Sequence, residues 1–168
     1  MADMTSAPIF LSYRRSDASA WAVALRDELV QAFGSEAVFF DTDSLHSGRW
    51  SDQIVTALEG CKVLLVVMGG GWLAAADAEG RRRLDDPQDV HRRELEHALC
   101  RPGVAVMPLL VDGAAMPPKA SLPASIQGLV ALQALTWSRR ADHRALDRAR
   151  LITALQSMTG LVPQRRQQ

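Results

Sequence analysis

Eight consecutive residues, Cys61-Lys-Val-Leu-Leu-Val-Val-Met68, hold one charged side chain and show no alternation of apolar with polar positions. Alternation marks a strand with one wet face. A short run without it marks a strand covered on both faces, and such strands belong to parallel sheets with helices on either side. Gly69-Gly-Gly-Trp72 ends this one. A chain built around such a strand has to supply further strands and helices in alternation.

The flanking sequence reads that way. Ile9-Phe-Leu-Ser-Tyr13 follows Pro8 and is expected as a strand breaking into a polar loop, Arg14-Arg-Ser-Asp17. Trp21, Leu25 and Leu29 then recur at helical spacing, with Ser16 or Asp17 as the cap and Gly34 as the stop. Ala37-Val-Phe-Phe40 is expected as a second strand and the polar stretch Asp41 to Arg49 as a loop. Ser51 caps a helix carrying Ile54, Ala57 and Leu58, with Gly60 as its stop. An irregular stretch from about 73 to 87 precedes a helix from Asp89 to Cys100, then a strand over Gly103 to Val111. Pro117, Pro118 and Pro123 stiffen the next connection, Leu129 to Trp137 is expected as a fifth strand, and Asp142 caps a last helix. The order predicts an α/β sandwich around a five-stranded parallel sheet, with ligands bound beyond the carboxyl ends of its strands. No repeat and no second domain is apparent.

Composition excludes several classes of function. With 19 Lys+Arg against 19 Asp+Glu in 168 residues, the chain lacks the basic excess that gives affinity for nucleic acid or anionic membranes. No apolar run reaches the roughly 18 residues of a membrane helix, and the N-terminus MADMTSAPIF has no basic region followed by an apolar one. Cys61 and Cys100 have no metal spacing and are expected as reduced core residues of a cytoplasmic protein.

One helix carries an anomaly. At about 100° per residue, with Val90 at zero, Ala98, Leu95 and Leu99 fall on an apolar arc half the circumference wide, and Glu94 falls inside it at about 40°. Arg92, Arg93, Glu96 and His97 fall outside. An inward carboxylate is costly unless paired or near water, which leaves either a salt bridge or cap to a neighbouring loop, or a carboxylate at a cleft. His91 lies in the same arc, where it orients Glu94 or merely packs. Two other patterns carry less. Gly69-Gly-Gly-Trp-Leu-Ala74 matches a dinucleotide-binding turn, but the acids that follow do not end a second strand. Glu94-x-x-His97 has no second copy to complete a two-metal site, so no metal is expected. Ser12 is not in a nucleophile elbow and is expected to bond backbone at the strand end.

Four motifs in order, Phe10-Leu-Ser-Tyr-Arg-Arg15, Val38-Phe-Phe-Asp41 leading to Gly48-Arg-Trp50, the strand ending at Met68, and Asp89-Val-His-Arg-Arg-Glu-Leu95, resemble the Toll/interleukin receptor (TIR) domain in its bacterial variety. The resemblance covers about residues 8 to 158, with 1–7 expected as a disordered N-terminus and 159–168 as a flexible tail. It implies a flavodoxin-like three-layer sandwich. It also implies one of two functions: a scaffold acting through TIR to TIR contacts, or an enzyme cleaving the nicotinamide-ribose bond of NAD+ with one glutamate on the third helix. By motif that glutamate is Glu94. NAD+ is then substrate, no cofactor is needed, and the product is ADP-ribose or a cyclic isomer. Ser12, Tyr13, Arg14, Arg15, Asp41, Trp50 and His91 are the implied substrate-binding positions, Arg14 and Arg15 toward the phosphates and Trp50 stacking on a base. The resemblance further implies activation by self-association of TIR protomers, as a homo-oligomer or filament with Trp50 and its loop at the contact, in antiviral defence. The trigger would come from a partner protein or a further sensor domain. The enzymatic relatives often carry a tryptophan four residues before the glutamate; here that position is Val90, and the loop 69–87 is longer than in many members.

Overall fold

The computed structural model describes residues 7–40 and 50–165. Within them, strands β1 (Ile9–Tyr13), β2 (Val38–Phe39), β3 (Val63–Met68), β4 (Ala105–Val111) and β5 (Leu135–Trp137) form one sheet, all parallel, in the order β2-β1-β3-β4-β5. This is the flavodoxin-like order. Helices α1 (Arg15–Phe33) and α4 (Ala141–Thr159) lie on one face, and α2 (Asp52–Gly60) and α3 (Val90–Leu99) on the other.

The unbroken apolar run has the environment it requires. Every residue of β3 is at most 1 % exposed, because the strand has β1 and β4 as neighbours and helices above and below. Side chains alternate between the faces of a strand. On β1, Ile9, Leu11 and Tyr13 join the core under α1 and α4, while Phe10 joins Leu64, Val66 and Met68 under α2 and α3. Ser12 therefore points to the second layer, the one polar position of β1 on that face.

Several local expectations change. Helix α1 starts at Arg15, one residue after β1 ends, and neither Ser16 nor Asp17 caps it; Arg14 is at the cap position and makes no side-chain capping bond. Ser51 does cap α2, accepting from the Ile54 N–H at 3.3 Å, but the helix includes Gly60 and ends at Cys61. The fifth strand is shorter than Leu129 to Trp137. Residues Ala124–Ala131 form a 3₁₀ helix behind Pro123, and Ile126 and Leu129, three apart, drop into the core at the period of that helix. Asp142 sits in the first turn of α4, held by Arg140, and does not cap it. Cys61 is buried as expected, and burial, opposed by the nearby Arg101 charge, pushes its thiol up to about 11; Cys100 is exposed instead. Leu161 packs against the α1 side of the core, and the Gln164 N–H donates to the Ala32 carbonyl at 2.7 Å.

A candidate active site at the carboxyl edge of the sheet

The chain leaves β1 for β2 on one side and later returns to β3 on the other, so the order reverses at β1 and ligand crevices form beyond the carboxyl ends there. Helix α3 begins at this edge, where its cap residue Asp89 is bonded by Arg14, the residue after β1. Asp89 caps it, accepting from the Arg92 N–H at 3.0 Å. Its buried residues are His91, Glu94, Leu95 and Ala98, an arc with Glu94 at one edge, and the glutamate is only 6 % exposed.

The burial is answered by one short hydrogen bond. Ser12 Oγ donates to Glu94 Oε2 at 2.5 Å, a distance typical of a hydroxyl on a charged acceptor. His91 Nδ1 is 3.0 Å from the same hydroxyl and 3.7 Å from Oε2, so His91 acts on Glu94 through Ser12 and not directly. Its other nitrogen, Nε2, accepts from Trp72 Nε1 at 2.8 Å. Among the described residues none donates to the second carboxylate oxygen, Oε1. Ser12 is 1 % exposed and its hydroxyl donates to Oε2, which leaves it no approach to a substrate as a nucleophile.

The other predicted positions divide. Ser12, His91 and Glu94 are brought into contact. Arg14 is buried, and both terminal nitrogens bond Asp89, at 3.0 and 2.7 Å, so its planar donors are taken before any phosphate arrives. Its Nε is sealed, with no hydrogen-bond partner among the described residues. Burial raises the Asp89 carboxyl, but hydrogen bonds and charge from Arg14, with the Arg92 N–H, bring it below its ordinary value of 3.8. Arg15 is exposed on the first turn of α1. Tyr13 faces the opposite layer, stacked on Phe40 with centroids 5.2 Å apart. Trp50 leans on the α2/α3 core, and the guanidinium of Arg93, which falls outside the apolar arc of α3, lies 4.3 Å from its ring centroid; stacking a base on that face requires Arg93 to leave. Asp41 lies outside the described residues. No group of three or more His, Cys, Asp or Glu among the described residues is placed to hold a metal ion.

Two features escape the sequence reading. The first is Trp72. The second is Asp17, whose carboxylate accepts the N–H groups of Gly69 and Gly71, each at 2.7 Å, and so ties the start of α1 to the turn after β3. The glycine triplet thus cradles an internal carboxylate, not a phosphate. A Cβ on Gly69 would stand 2.7 Å from Asp17 Oδ1. Gly69→Ala is therefore expected to open this clasp and cost about 1–3 kcal/mol, the scale of overpacking, whereas Gly70→Ala, with nothing within 4 Å, should not. Thermal unfolding of the two variants checks this.

A sequence model of the TIR domain matches residues 9–151. Among solved structures, the chain is similar to a metazoan TIR-STING receptor from C. gigas, determined in complex with 2',3'-cGAMP, at 20 % identity and a TM-score of 0.53. That similarity covers 98 % of this chain and 43 % of the receptor chain, so the chain spans under half the length of this relative.

Proposed function

We propose that this chain, which belongs to the TIR domain family, is an enzyme that cleaves the nicotinamide-ribose bond of NAD+ with Glu94 as its catalytic carboxylate. The observation that carries the reading is a buried glutamate at the switch point of the sheet, one oxygen held by Ser12 and the other left without a donor among the described residues. A carboxylate employed only for stability has no need of a relay aimed at one oxygen.

The chemistry needs little more. When the C–N bond breaks, the electron pair goes to the pyridinium nitrogen, and nicotinamide leaves neutral without a general acid. Positive charge develops on the ribose, as in the oxocarbenium-like transition state of glycoside cleavage. A fixed anion in a desolvated setting stabilises that charge without reorganising. Oε1 is the oxygen available to the ribose and its hydroxyls. Water then adds to the anomeric carbon and loses a proton, giving ADP-ribose, or an adenine nitrogen or ribose hydroxyl of the same molecule adds and the adduct likewise loses a proton, giving a cyclic product.

We further place the enzyme in the cytoplasm, in antiviral defence, active on self-association of TIR protomers and triggered by a partner or sensor domain. The TIR-STING architecture of the solved relative supports such a sensor; no helix among the described residues is long and apolar enough to cross a membrane. Purified protein incubated with NAD+ over a wide range of protein concentration is expected to release nicotinamide at a rate rising more steeply than linearly. Absence of release at every concentration, under conditions that drive assembly, would leave the alternative of a non-catalytic TIR scaffold.

A further inference from the structure

We propose that Trp72 is a positioning residue for Glu94: it sets which nitrogen of His91 carries the proton, and through Ser12 this commits Oε2 and reserves Oε1 for substrate. The proposal rests on the reading of Glu94 as the catalytic carboxylate.

The direction of each link follows from donor chemistry. An indole N–H can only donate. With Trp72 Nε1 at 2.8 Å, His91 Nε2 must accept, and the ring proton resides on Nδ1. Nδ1–H then donates to Ser12 Oγ at 3.0 Å. Ser12 has a single hydroxyl proton, and with its oxygen already accepting from His91, that proton goes to Glu94 Oε2 at 2.5 Å. Trp72, His91 and Ser12 are 1 %, 5 % and 1 % exposed, so water offers no alternative partner to the three groups that lead to Oε2.

Reversing the tautomer shows what Trp72 contributes. A proton on Nε2 would face the indole N–H donor to donor, and the bare Nδ1 would draw the Ser12 proton away from Glu94. Oε2 would lose its donor, and the terminal torsion of a glutamate, broad by nature, would be free to turn either oxygen to the substrate. Chains of hydrogen bonds in a low-dielectric interior also reinforce one another, so the last bond is strongest when every link points the same way.

The relay is itself anchored. Trp72 follows directly on the glycine turn gripped by Asp17, and its backbone N–H bonds the Gly69 carbonyl at 3.2 Å. The indole is fully buried and meets the imidazole edge-on, with centroids 5.9 Å apart and planes at 79°. Ring position and tautomer are thus set from the turn after β3, and Glu94 itself comes from α3.

The test uses ¹⁵N-labelled protein and reads the His91 ring nitrogens by long-range proton–nitrogen correlation, assigned by difference from His91→Gln. In the wild type the proton is expected on Nδ1; in Trp72→Phe, which keeps an aromatic ring and deletes the donor, it is expected to move wholly or partly to Nε2. With NAD+ as substrate, kcat is expected to fall about 10- to 100-fold in both Trp72→Phe and Ser12→Ala, with KM changed by less than about twofold. A wild-type proton on Nε2, an unchanged Nδ1 proton in Trp72→Phe, or full kcat in Ser12→Ala would overturn the proposal. Ser12→Ala removes only one buried oxygen and carries the kinetic arm should Trp72→Phe fail to fold. A wild type that releases no nicotinamide overturns the NAD+ reading alone, since the nitrogen assignment decides the relay without turnover.

Discussion

Glu94→Gln is expected to lower nicotinamide release by at least about 10²–10³-fold, the scale on which removing one preorganised electrostatic partner lowers kcat. The substitution is close to isosteric, so Leu95, Ala98 and the rest of the buried arc keep their packing. The amide oxygen can still accept the Ser12 proton at the place Oε2 now occupies. The amide nitrogen then takes the place of Oε1, presenting a donor and no negative charge where the ribose becomes cationic. The loss is therefore one of charge at a fixed point and should appear in kcat, with KM for NAD+ little changed. Stability should move the other way or not at all, because a buried carboxylate held by one hydroxyl is replaced by a neutral group. Single-turnover nicotinamide release with parallel thermal unfolding checks both halves. A folded Glu94→Gln that retained more than about a tenth of wild-type kcat would remove this carboxylate from the chemistry.

Much of the fold was legible because it is written in local patterns. The unalternating run at β3 required cover on both faces, and that requirement placed helices on each side of a parallel sheet. The wheel of α3 turned Glu94 inward for the same reason, since three and four residue spacings decide which side chains share a helix face. The fifth strand is shorter than Leu129 to Trp137 because the chain behind Pro123 winds into a 3₁₀ helix through Ala131, with Ile126 and Leu129 buried at its period of three, and turns extended only at Leu135. What stayed hidden depends on pairs far apart in the chain. Ser12 meets His91 and Glu94 across 79 and 82 positions, Arg14 meets Asp89 across 75, and Asp17 reaches Gly69 across 52. A lone serine, arginine or aspartate has no periodicity to announce its partner. The glycine triplet announced that something approaches the backbone closely there, but not that the visitor is a side chain of the protein itself.

The arginine assigned to phosphate by motif instead supports the second large prediction. Arg14 and Asp89 are 6 % and 8 % exposed at their side chains and joined by two hydrogen bonds. Removing one partner of such a pair leaves a buried charge without compensation. Arg14→Met should therefore cost about 3–5 kcal/mol, roughly 6–20 °C in Tm for a domain of this size. Asp89→Asn should cost a similar amount for the opposite reason, although asparagine still caps α3. The double variant should recover much of the loss, because neither charge is then stranded, and a double-mutant cycle reads that coupling directly. The acid limb supplies an independent check. The Asp89 carboxyl titrates below 3.8 in the folded protein and at 3.8 when unfolded, so its contribution is complete above that value and disappears as pH falls through the folded one. Arg14→Met should flatten that limb. Because Asp89 caps the helix whose second turn carries Glu94, loosening it should also misplace the carboxylate, so Arg14→Met loses kcat at temperatures where it is still folded. Equal acid sensitivity in wild type and Arg14→Met would show that this pair does not hold the helix in place.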